Sequence, residues 1–344
     1  MTQSLDQMIL DAIVAEAARK RHIHGFVMHV RRGERGLTSA AGNLDVSSRF
    51  FAASVTKSFV TAVLLKLEAA GELALHDKIA QHLPPHIAEG LHVIEGVDSS
   101  HSIEIWHLMS NTSGIPDYFD GETANSLIAN NDVAWGLEPA VAAAKQKQPR
   151  FLPGKKAEYS DTNYQLLGAI IETVTEKPLH AVFDEMIVQP LGLEDTYLYR
   201  GEPDDRLVPM YYKERALELP RYMASIGAEG GIVSTAQDLG AFVQAFFDGT
   251  LLNAARLDAL YKWRLLFRPG VFFYGIGIAK QPVSLLRLSK GLLGHWGQSG
   301  AFAFFDPETR TCLAGTANQY IGQNAAARAM IKVLRHPLGH AQEA

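Results

Sequence analysis

Ser54 and Lys57 are spaced so that they could act as a nucleophile and the base that activates it. Residues three apart lie on one face of a helix, so the lysine amine can reach the serine hydroxyl. A buried lysine loses the water that favours its charged form, and a neutral amine can accept the serine proton. At a helix amino end, the backbone N–H of Ser54 would be free to bind an oxyanion. The pair predicts a serine hydrolase that forms an acyl-enzyme.

The elements around this pair favour the catalytic interpretation over a polar turn on a surface helix. The Ser-x-x-Lys match occurs once in the sequence. Apolar residues flank it and then recur every four positions, which predicts a largely buried helix over residues 54–70 that ends at Gly71. The recurring positions are Val55, Phe59, Val63 and Leu67. We therefore expect Ser54 at the amino end of a buried helix.

The remaining pattern predicts an α+β fold. An amphipathic helix over residues 1–20 precedes a β-hairpin formed by residues 25–30 and 37–42, and helices and loops then dominate as far as residue 220. The later segments predict helices at 235–247 and 323–334 and strands at 271–279, 283–289, 300–305 and 311–317. We expect one antiparallel sheet flanked by helices, built from residues 1–76 and 221–344. Residues 77–220 would form a largely helical inserted domain, with the active site between the two domains.

Composition excludes several classes of protein. The 344 residues are 47% apolar and 20% charged, with a net charge of −5, which is typical of a globular enzyme. No basic cluster indicates a nucleic-acid partner, and no window is long and apolar enough to span a membrane. The amphipathic start lacks the pattern of a signal peptide, so we expect a cytoplasmic protein. The single cysteine, Cys312, forms no intrachain disulfide and is expected in the core.

Five segments together resemble the serine β-lactamase and D,D-peptidase superfamily, for which a Ser-x-x-Lys element is typical. The closer likeness is to its class C-like branch, which includes family VIII esterases and D-aminopeptidases. The resemblance covers about residues 20–335 and implies the β-lactamase/penicillin-binding-protein-like fold. The segments that carry it are residues 50–57, 107–118, 159–168, 230–235 and 295–297.

This resemblance implies that Tyr159 relays protons with Lys57, activating Ser54 and then protonating the leaving group. A phenol ionises near pH 10, so it could act as a base only beside a cation. The family has asparagine two residues after this tyrosine, whereas this chain has Asp161. An ionised carboxylate accepts but cannot donate a hydrogen bond, so two roles stay open for Asp161: binding the substrate in another way, or orienting Lys57 in its charged form. Asn163 is a candidate to supply the missing amide.

The third segment, by resemblance, is a strand at the edge of the site. The N–H of Gln298 would join that of Ser54 in the oxyanion hole, and Gly297 would let the backbone approach the substrate. Penicillin-recognising relatives usually have lysine where this chain has His295, which is mostly neutral at pH 7. This difference favours neutral esters or amides. Trp296 could line the acyl pocket or pack on the strand, and Tyr118 is a further candidate for substrate binding.

Other chemistries are less well supported. No Gly-x-Ser-x-Gly or His-Glu-x-x-His segment occurs, so we expect neither an α/β-hydrolase triad nor a metal site. Gly275 and Gly277 lack the third glycine of a dinucleotide loop and are interpreted as strand glycines.

We expect no cofactor, and a small ester, amide or short peptide as substrate. An esterase is favoured over a D-amino-acid peptidase, a D,D-carboxypeptidase or a β-lactamase. A catalytically silent binding protein of the same fold is the alternative outside enzymes.

Overall fold

The structure is a computed structural model that describes residues 4–266, 273–283 and 291–336. Within these residues the strands are β1 (Gly25–Arg32), β2 (Arg35–Gly42), β3 (Phe50–Phe51), β4 (Val93–Ile94), β5 (Val97–Asp98), β6 (Tyr197–Leu198), β7 (Met210–Tyr212), β8 (Arg215–Leu217), β9 (Ile232–Ser234), β10 (Arg264–Leu265), β11 (Phe273–Tyr274), β12 (Ala279–Pro282), β13 (Gly291–Trp296), β14 (Ala301–Asp306) and β15 (Thr311–Thr316).

The helices of the described residues are α1 (Gln7–Ala18), α2 (Thr56–Ala70), α3 (Pro85–Ala88), α4 (Ile105–Met109), α5 (Gly121–Ile128), α6 (Leu137–Lys145), α7 (Asp161–Thr175), α8 (Leu179–Phe183), α9 (Gln189–Leu191), α10 (Pro220–Ser225), α11 (Gly227–Gly230), α12 (Ala236–Asp248), α13 (Ala254–Leu260) and α14 (Gln323–Leu334). A single π-helical turn joins α8 to α9. None of these helices combines the length and the apolar character that crossing a bilayer requires.

An eight-stranded antiparallel sheet uses both ends of the chain, in the order β10-β11-β12-β13-β14-β15-β1-β2. Helices α1 and α14 cover one face, where Phe26, Phe302 and Met330 are buried together. Helices α2 and α12 lie on the other face, and Phe59 of α2 stacks on Phe242 of α12 with 3.7 Å between the ring centroids. The predicted antiparallel sheet with flanking helices is confirmed.

Residues 77–220 are mostly short helices and loops around the longer helix α7, with the two small hairpins β4–β5 and β7–β8. Strand β6 leaves this segment to pair with β9, which also pairs with β3, so the segment is joined to the flanking chain by backbone hydrogen bonds. The division into residues 1–76 with 221–344 and residues 77–220 stays a prediction.

The predicted strand at 271–279 is wrong in its second half. Residues 275–278 form the turn of the β11–β12 hairpin, so Gly275 and Gly277 are turn residues. Gly277 has φ +70°, and a Cβ there would lie 2.0 Å from the Thr61 hydroxyl oxygen. That hydroxyl donates to the Gly277 carbonyl at 3.0 Å, which ties the turn to α2. Of the predicted strand 283–289, all but Val283 lies outside the described residues.

The helix that carries the Ser-x-x-Lys pair begins two residues later than predicted. Ser54 lies in a 3₁₀ turn, Ala53–Val55, that leads directly into α2. Most of α2 is buried, including Lys57, and Gly71 ends it in a left-handed conformation with φ +75°. Ser54 therefore stands at the amino end of a buried helix, as predicted.

Candidate active site

A cavity of about 1000 Å³ opens between the end of β13 and the amino ends of α2 and α7. Seven of the residues predicted for the site line it together: Ser54, Tyr159, Asp161, His295, Trp296, Gly297 and Gln298. Three separate parts of the sequence thus meet at one cavity, and the Lys57 amine lies 3.0 Å from the Ser54 hydroxyl oxygen.

Ser54 is held at the cavity by an unusual backbone. Ala53 has φ +47°, a left-handed conformation that costs a residue with a Cβ on the order of 1 kcal/mol or more. The Ser54 hydroxyl accepts a hydrogen bond from Lys57 Nζ at 3.0 Å. Tyr159 lines the same part of the cavity wall, with its hydroxyl near that of Ser54. The serine oxygen therefore lies beside two groups that can carry its proton.

Lys57 is bound as an ammonium. Its side chain is fully buried, and Nζ lies 3.0 Å from Ser54 Oγ and 2.7 Å from the Glu229 carbonyl oxygen. The third neighbour is Asp161 Oδ1 at 2.6 Å. The Asp161 carboxylate at 2.6 Å favours the charged form of the amine, whereas burial alone would favour the neutral form. Of the two roles that the sequence left open for Asp161, the contact with Lys57 is the one that this geometry supports.

Three carboxyl groups surround this single cation. Burial, reinforced by the charge of Asp161, raises the pKa of Asp117 well above its usual range. The same two causes raise the pKa of Glu229 well above its usual range. Tyr118 donates a hydrogen bond to Glu229 Oε1, and Asp117 Oδ1 accepts the N–H of Asp161 at 3.0 Å. The site thus holds the ion pair of Lys57 and Asp161 beside two carboxyl groups whose raised pKa favours the neutral form.

The neutral state of Glu229 predicts how stability responds to an amide at this position. A carboxyl whose pKa is raised by folding stabilises the fold below its unfolded pKa and loses that contribution as pH rises. Glu229→Gln resembles the protonated acid and cannot ionise. We expect the free energy of unfolding of this variant, relative to the parent, to increase as pH rises above the ordinary carboxyl pKa of about 4.5, and to level off where Glu229 ionises in the fold. Urea unfolding at several pH values measures this difference, and a constant difference would show that Glu229 is ionised in the fold.

Tyr159 is a neutral phenol in this arrangement. Burial, followed by the charge of Asp161, raises its pKa well above the usual value, and the nearby Ser54 hydroxyl acts in the opposite direction. Lys57 Nζ lies 5.2 Å from the centre of its ring. Tyr159 and Lys57 therefore lie close to each other beside Ser54, and their proton relay stays a prediction.

His295 is uncharged, as expected. Burial, and then the charge of Lys57, lowers its pKa to about 3. Nδ1 lies 2.7 Å from the Trp296 carbonyl oxygen, which can only accept, so Nδ1 carries the proton. Nε2 then accepts from the Tyr274 hydroxyl at 3.2 Å. His295 supplies no positive charge for a substrate carboxylate.

The rest of the third segment lies at the end of β13. Trp296 packs against Phe304 while its indole lines the cavity, so both roles considered for it are present. A Cβ at Gly297 would lie 2.3 Å from the Ala52 carbonyl oxygen, so this glycine lets the end of β13 approach the Ser54 segment closely, and its role towards the substrate stays a prediction. Gln298 is exposed, and its amide donates to the Tyr320 hydroxyl.

Two predicted residues are not at the cavity. Tyr118 is 1% exposed, its ring stacks on Trp135, and its hydroxyl donates a hydrogen bond to Glu229 Oε1. Its side chain therefore lies beneath the site. Asn163 is fully buried, where it accepts from the Ser113 hydroxyl at 2.7 Å and donates to Asn111 Oδ1 at 3.1 Å. Neither side chain lines the cavity. The amide of Asn163 therefore does not replace the asparagine expected at position 161.

Asn111 is a structural residue of the site that the sequence analysis did not single out. It has φ +55° and is 1% exposed. Its side-chain oxygen accepts the N–H of Ser160 at 3.1 Å, and its carbonyl accepts the N–H of Glu158 at 2.9 Å. These bonds fix the chain on both sides of Tyr159. The left-handed backbone, which asparagine tolerates better than most residues, leaves no periodic pattern in the sequence.

Comparison with known families identifies the fold and the family. A family model described as Beta-lactamase matches residues 10–335. The chain belongs to this family. The match confirms the resemblance to the serine β-lactamase and D,D-peptidase superfamily, and the β-lactamase/penicillin-binding-protein-like fold that it implied. Within the described residues, no three His, Cys, Asp or Glu side chains are grouped so that they could hold a metal ion.

Relatives within this family include esterases and amidases. The chain is 32% identical over 221 residues to "Esterase EstB" of Burkholderia gladioli, a match that covers 59% of this chain and 54% of the relative. The chain thus spans about half the length of that protein. A solved D-stereospecific amidohydrolase from Streptomyces sp. is 26% identical with a TM-score of 0.80, covering 94% of this chain and 98% of that one. A D-amino acid amidase from Ochrobactrum anthropi SV3, complexed with L-phenylalanine, is 25% identical with a TM-score of 0.79, covering 96% and 97%.

Proposed function

We propose that the protein is a serine hydrolase that forms an acyl-enzyme at Ser54 and acts on neutral esters. One observation carries the proposal: Ser54 lies on the cavity wall, where its hydroxyl accepts a hydrogen bond from Lys57 Nζ at 3.0 Å and Tyr159 lines the wall beside it. Two proton carriers at one nucleophile are what acyl transfer requires, since a proton must leave the serine and later reach the leaving group.

The reaction would run in two steps. Ser54 Oγ attacks the carbonyl carbon while its proton passes to the Lys57–Tyr159 pair, and the tetrahedral oxyanion is bound by the backbone N–H groups of Ser54 and Gln298. The pair returns the proton to the leaving oxygen as the carbon–oxygen bond breaks. Water then attacks the acyl-enzyme by the same route and releases the acid.

The charges on the cavity wall support a neutral substrate. The cations among the described wall residues are already paired, Lys147 with Asp120 at 2.9 Å and Arg150 with Glu158 at 2.7 Å. His295 is neutral, and the buried Lys57 cation is paired with Asp161 at 2.6 Å. A carboxylate on the substrate would therefore find no unpaired cation on the described wall. The likeness to an esterase that is 32% identical points the same way.

Amidase activity is the second candidate function. The Asp161 carboxylate on the cavity wall offers an acceptor for the ammonium group of an amino-acid amide. The Streptomyces amidohydrolase, 26% identical over 94% of this chain, supports this candidate.

Labelling of Ser54 tests the proposal. We expect a fluorophosphonate to modify the folded protein at one site, which peptide mass mapping assigns to Ser54. Hydrolysis of p-nitrophenyl butyrate, nitrocefin and a D-alanyl p-nitroanilide then separates esterase, β-lactamase and amidase activity. Rapid turnover of nitrocefin without esterase activity would contradict the neutral-ester assignment. A folded protein that stays unlabelled would instead be a catalytically silent member of the family.

A further inference from the structure

We infer that Asp161 is a positioning residue that sets the number of protons on the Lys57–Tyr159 pair, so that acylation requires the pair to lose one proton to solvent. The inference rests on the proposed function of Ser54 and adds to it the group that controls when the nucleophile can be activated. It concerns the position at which this chain departs from the asparagine of its superfamily.

The contact between Asp161 and Lys57 is built into the fold. Asp161 is the first residue of α7, and its N–H is held by Asp117 Oδ1 at 3.0 Å. Its Oδ1 lies 2.6 Å from Lys57 Nζ, and the two side chains are 12% and 0% exposed. An ion pair this close and this little exposed is only weakly screened by water. An asparagine at this position would offer Nζ a neutral oxygen with no net charge.

Asp161 is the ionised acid that faces Lys57 among the described residues. The groups around the ammonium come from the loop before α5, from the segment before α7, from α7, α11, β11 and β13. They are Asp117, Tyr159, Asp161, Tyr164, Glu229, Tyr274 and His295. Burial raises the pKa of Asp117, Glu229 and the three tyrosines and lowers that of His295, which favours the neutral form of each of these groups. Asp161 forms the ion pair with Lys57, at 2.6 Å.

This ion pair leaves the resting site with no base. The amine of Lys57 carries three protons and the phenol of Tyr159 carries one. The adjacent Asp161 carboxylate favours the protonated form of both groups. When the pair loses one proton to solvent, it can accept one proton in return, either on the amine of Lys57 or on the phenolate oxygen of Tyr159. The proton of Ser54 is the one that the pair accepts as Oγ bonds to the substrate carbon, and the same proton leaves with the alcohol. Protons balance over the cycle, and the number of active molecules depends on pH.

The pH dependence of acylation tests the inference. For the parent, we expect kcat/KM for p-nitrophenyl butyrate to rise tenfold per pH unit up to an alkaline plateau. Asp161→Asn removes the neighbouring negative charge, which should move this rising limb to lower pH by about one unit or more. Asp161→Glu keeps the charge and should leave the limb near its parental position. Asp11→Asn makes the same charge change on the exposed surface of α1 and should leave the limb unchanged.

A direct measurement of Lys57 separates this inference from the proposed function. In protein carrying ¹³Cε-lysine, the Lys57 signal is assigned by its loss in Lys57→Arg and followed from pH 6 to pH 11. We expect its transition to occur at lower pH in Asp161→Asn than in the parent, whether or not any ester is hydrolysed. A variant that lowers kcat/KM equally at every pH and leaves the Lys57 transition in place would overturn the inference. Absence of labelling at Ser54 would overturn the proposed function instead, and the signal of Lys57 would still decide the role of Asp161.

Discussion

Ser54→Ala is expected to remove ester hydrolysis while leaving the fold intact. The variant loses the oxygen that forms the acyl-enzyme but keeps the backbone N–H proposed for the oxyanion hole. Removing a catalytic nucleophile typically lowers kcat by about 10³-fold to 10⁶-fold, with a remainder due to binding and the oxyanion site. We expect a loss of this size for p-nitrophenyl butyrate, together with complete loss of fluorophosphonate labelling.

The stability of this variant distinguishes a catalytic serine from a structural one. Ser54 is only partly buried, and its hydroxyl contacts Lys57, which keeps Asp161 and the Glu229 carbonyl as partners after the change. We therefore expect a free energy of unfolding within about 1 kcal/mol of the parent. A control variant, Ser58→Ala, changes another serine of α2 that lies outside the cavity wall and should retain full turnover. Residual hydrolysis above 10% in Ser54→Ala would exclude an acyl-enzyme at this residue.

The sequence predicts contacts that depend on helix periodicity and misses those that depend on tertiary packing. Ser54 and Lys57 are one turn apart, so their 3.0 Å contact follows from local geometry alone. The cluster of Asp117, Asp161 and Glu229 comes from three separate segments, and no spacing in the chain indicates that they share one cation. This cluster is also what reverses the expected protonation of Lys57. The sequence thus locates the nucleophile but does not determine the protonation state of its partner.

Asn163 and Tyr118 were predicted at the cavity, and both lie elsewhere for the same physical reason. Asn163 follows Asp161 by two positions on α7, and residues two apart on a helix do not share a face. Its side chain therefore lies inside the protein while that of Asp161 lines the cavity. Tyr118 likewise follows Asp117, a wall residue, and its ring is buried beneath the site. A motif therefore predicts which segment reaches a site. Whether a given side chain of that segment faces the site depends on how the segment packs.

Removal of the Lys57 charge is expected to have the largest combined effect on stability and activity. Lys57→Met keeps an unbranched apolar side chain but leaves the Asp161 carboxylate and the Glu229 carbonyl without their partner. Breaking a buried ion pair on one side costs about 3–5 kcal/mol, because the remaining charge stays desolvated. We expect a loss of this order in the free energy of unfolding near pH 8, and loss of p-nitrophenyl butyrate hydrolysis by about 10³-fold or more.

The double variant Lys57→Met/Asp161→Asn separates the two roles of this lysine. Replacing the carboxylate by an amide removes the uncompensated charge, so we expect much of the lost stability to return. Hydrolysis should stay at the level of Lys57→Met, because the amide cannot accept the Ser54 proton and the amine is still absent. Urea unfolding and kcat/KM measured on the parent, both single variants and the double variant complete the cycle. Recovery of hydrolysis together with stability would mean that Lys57 serves only to neutralise Asp161, and that Tyr159 alone moves the proton of Ser54.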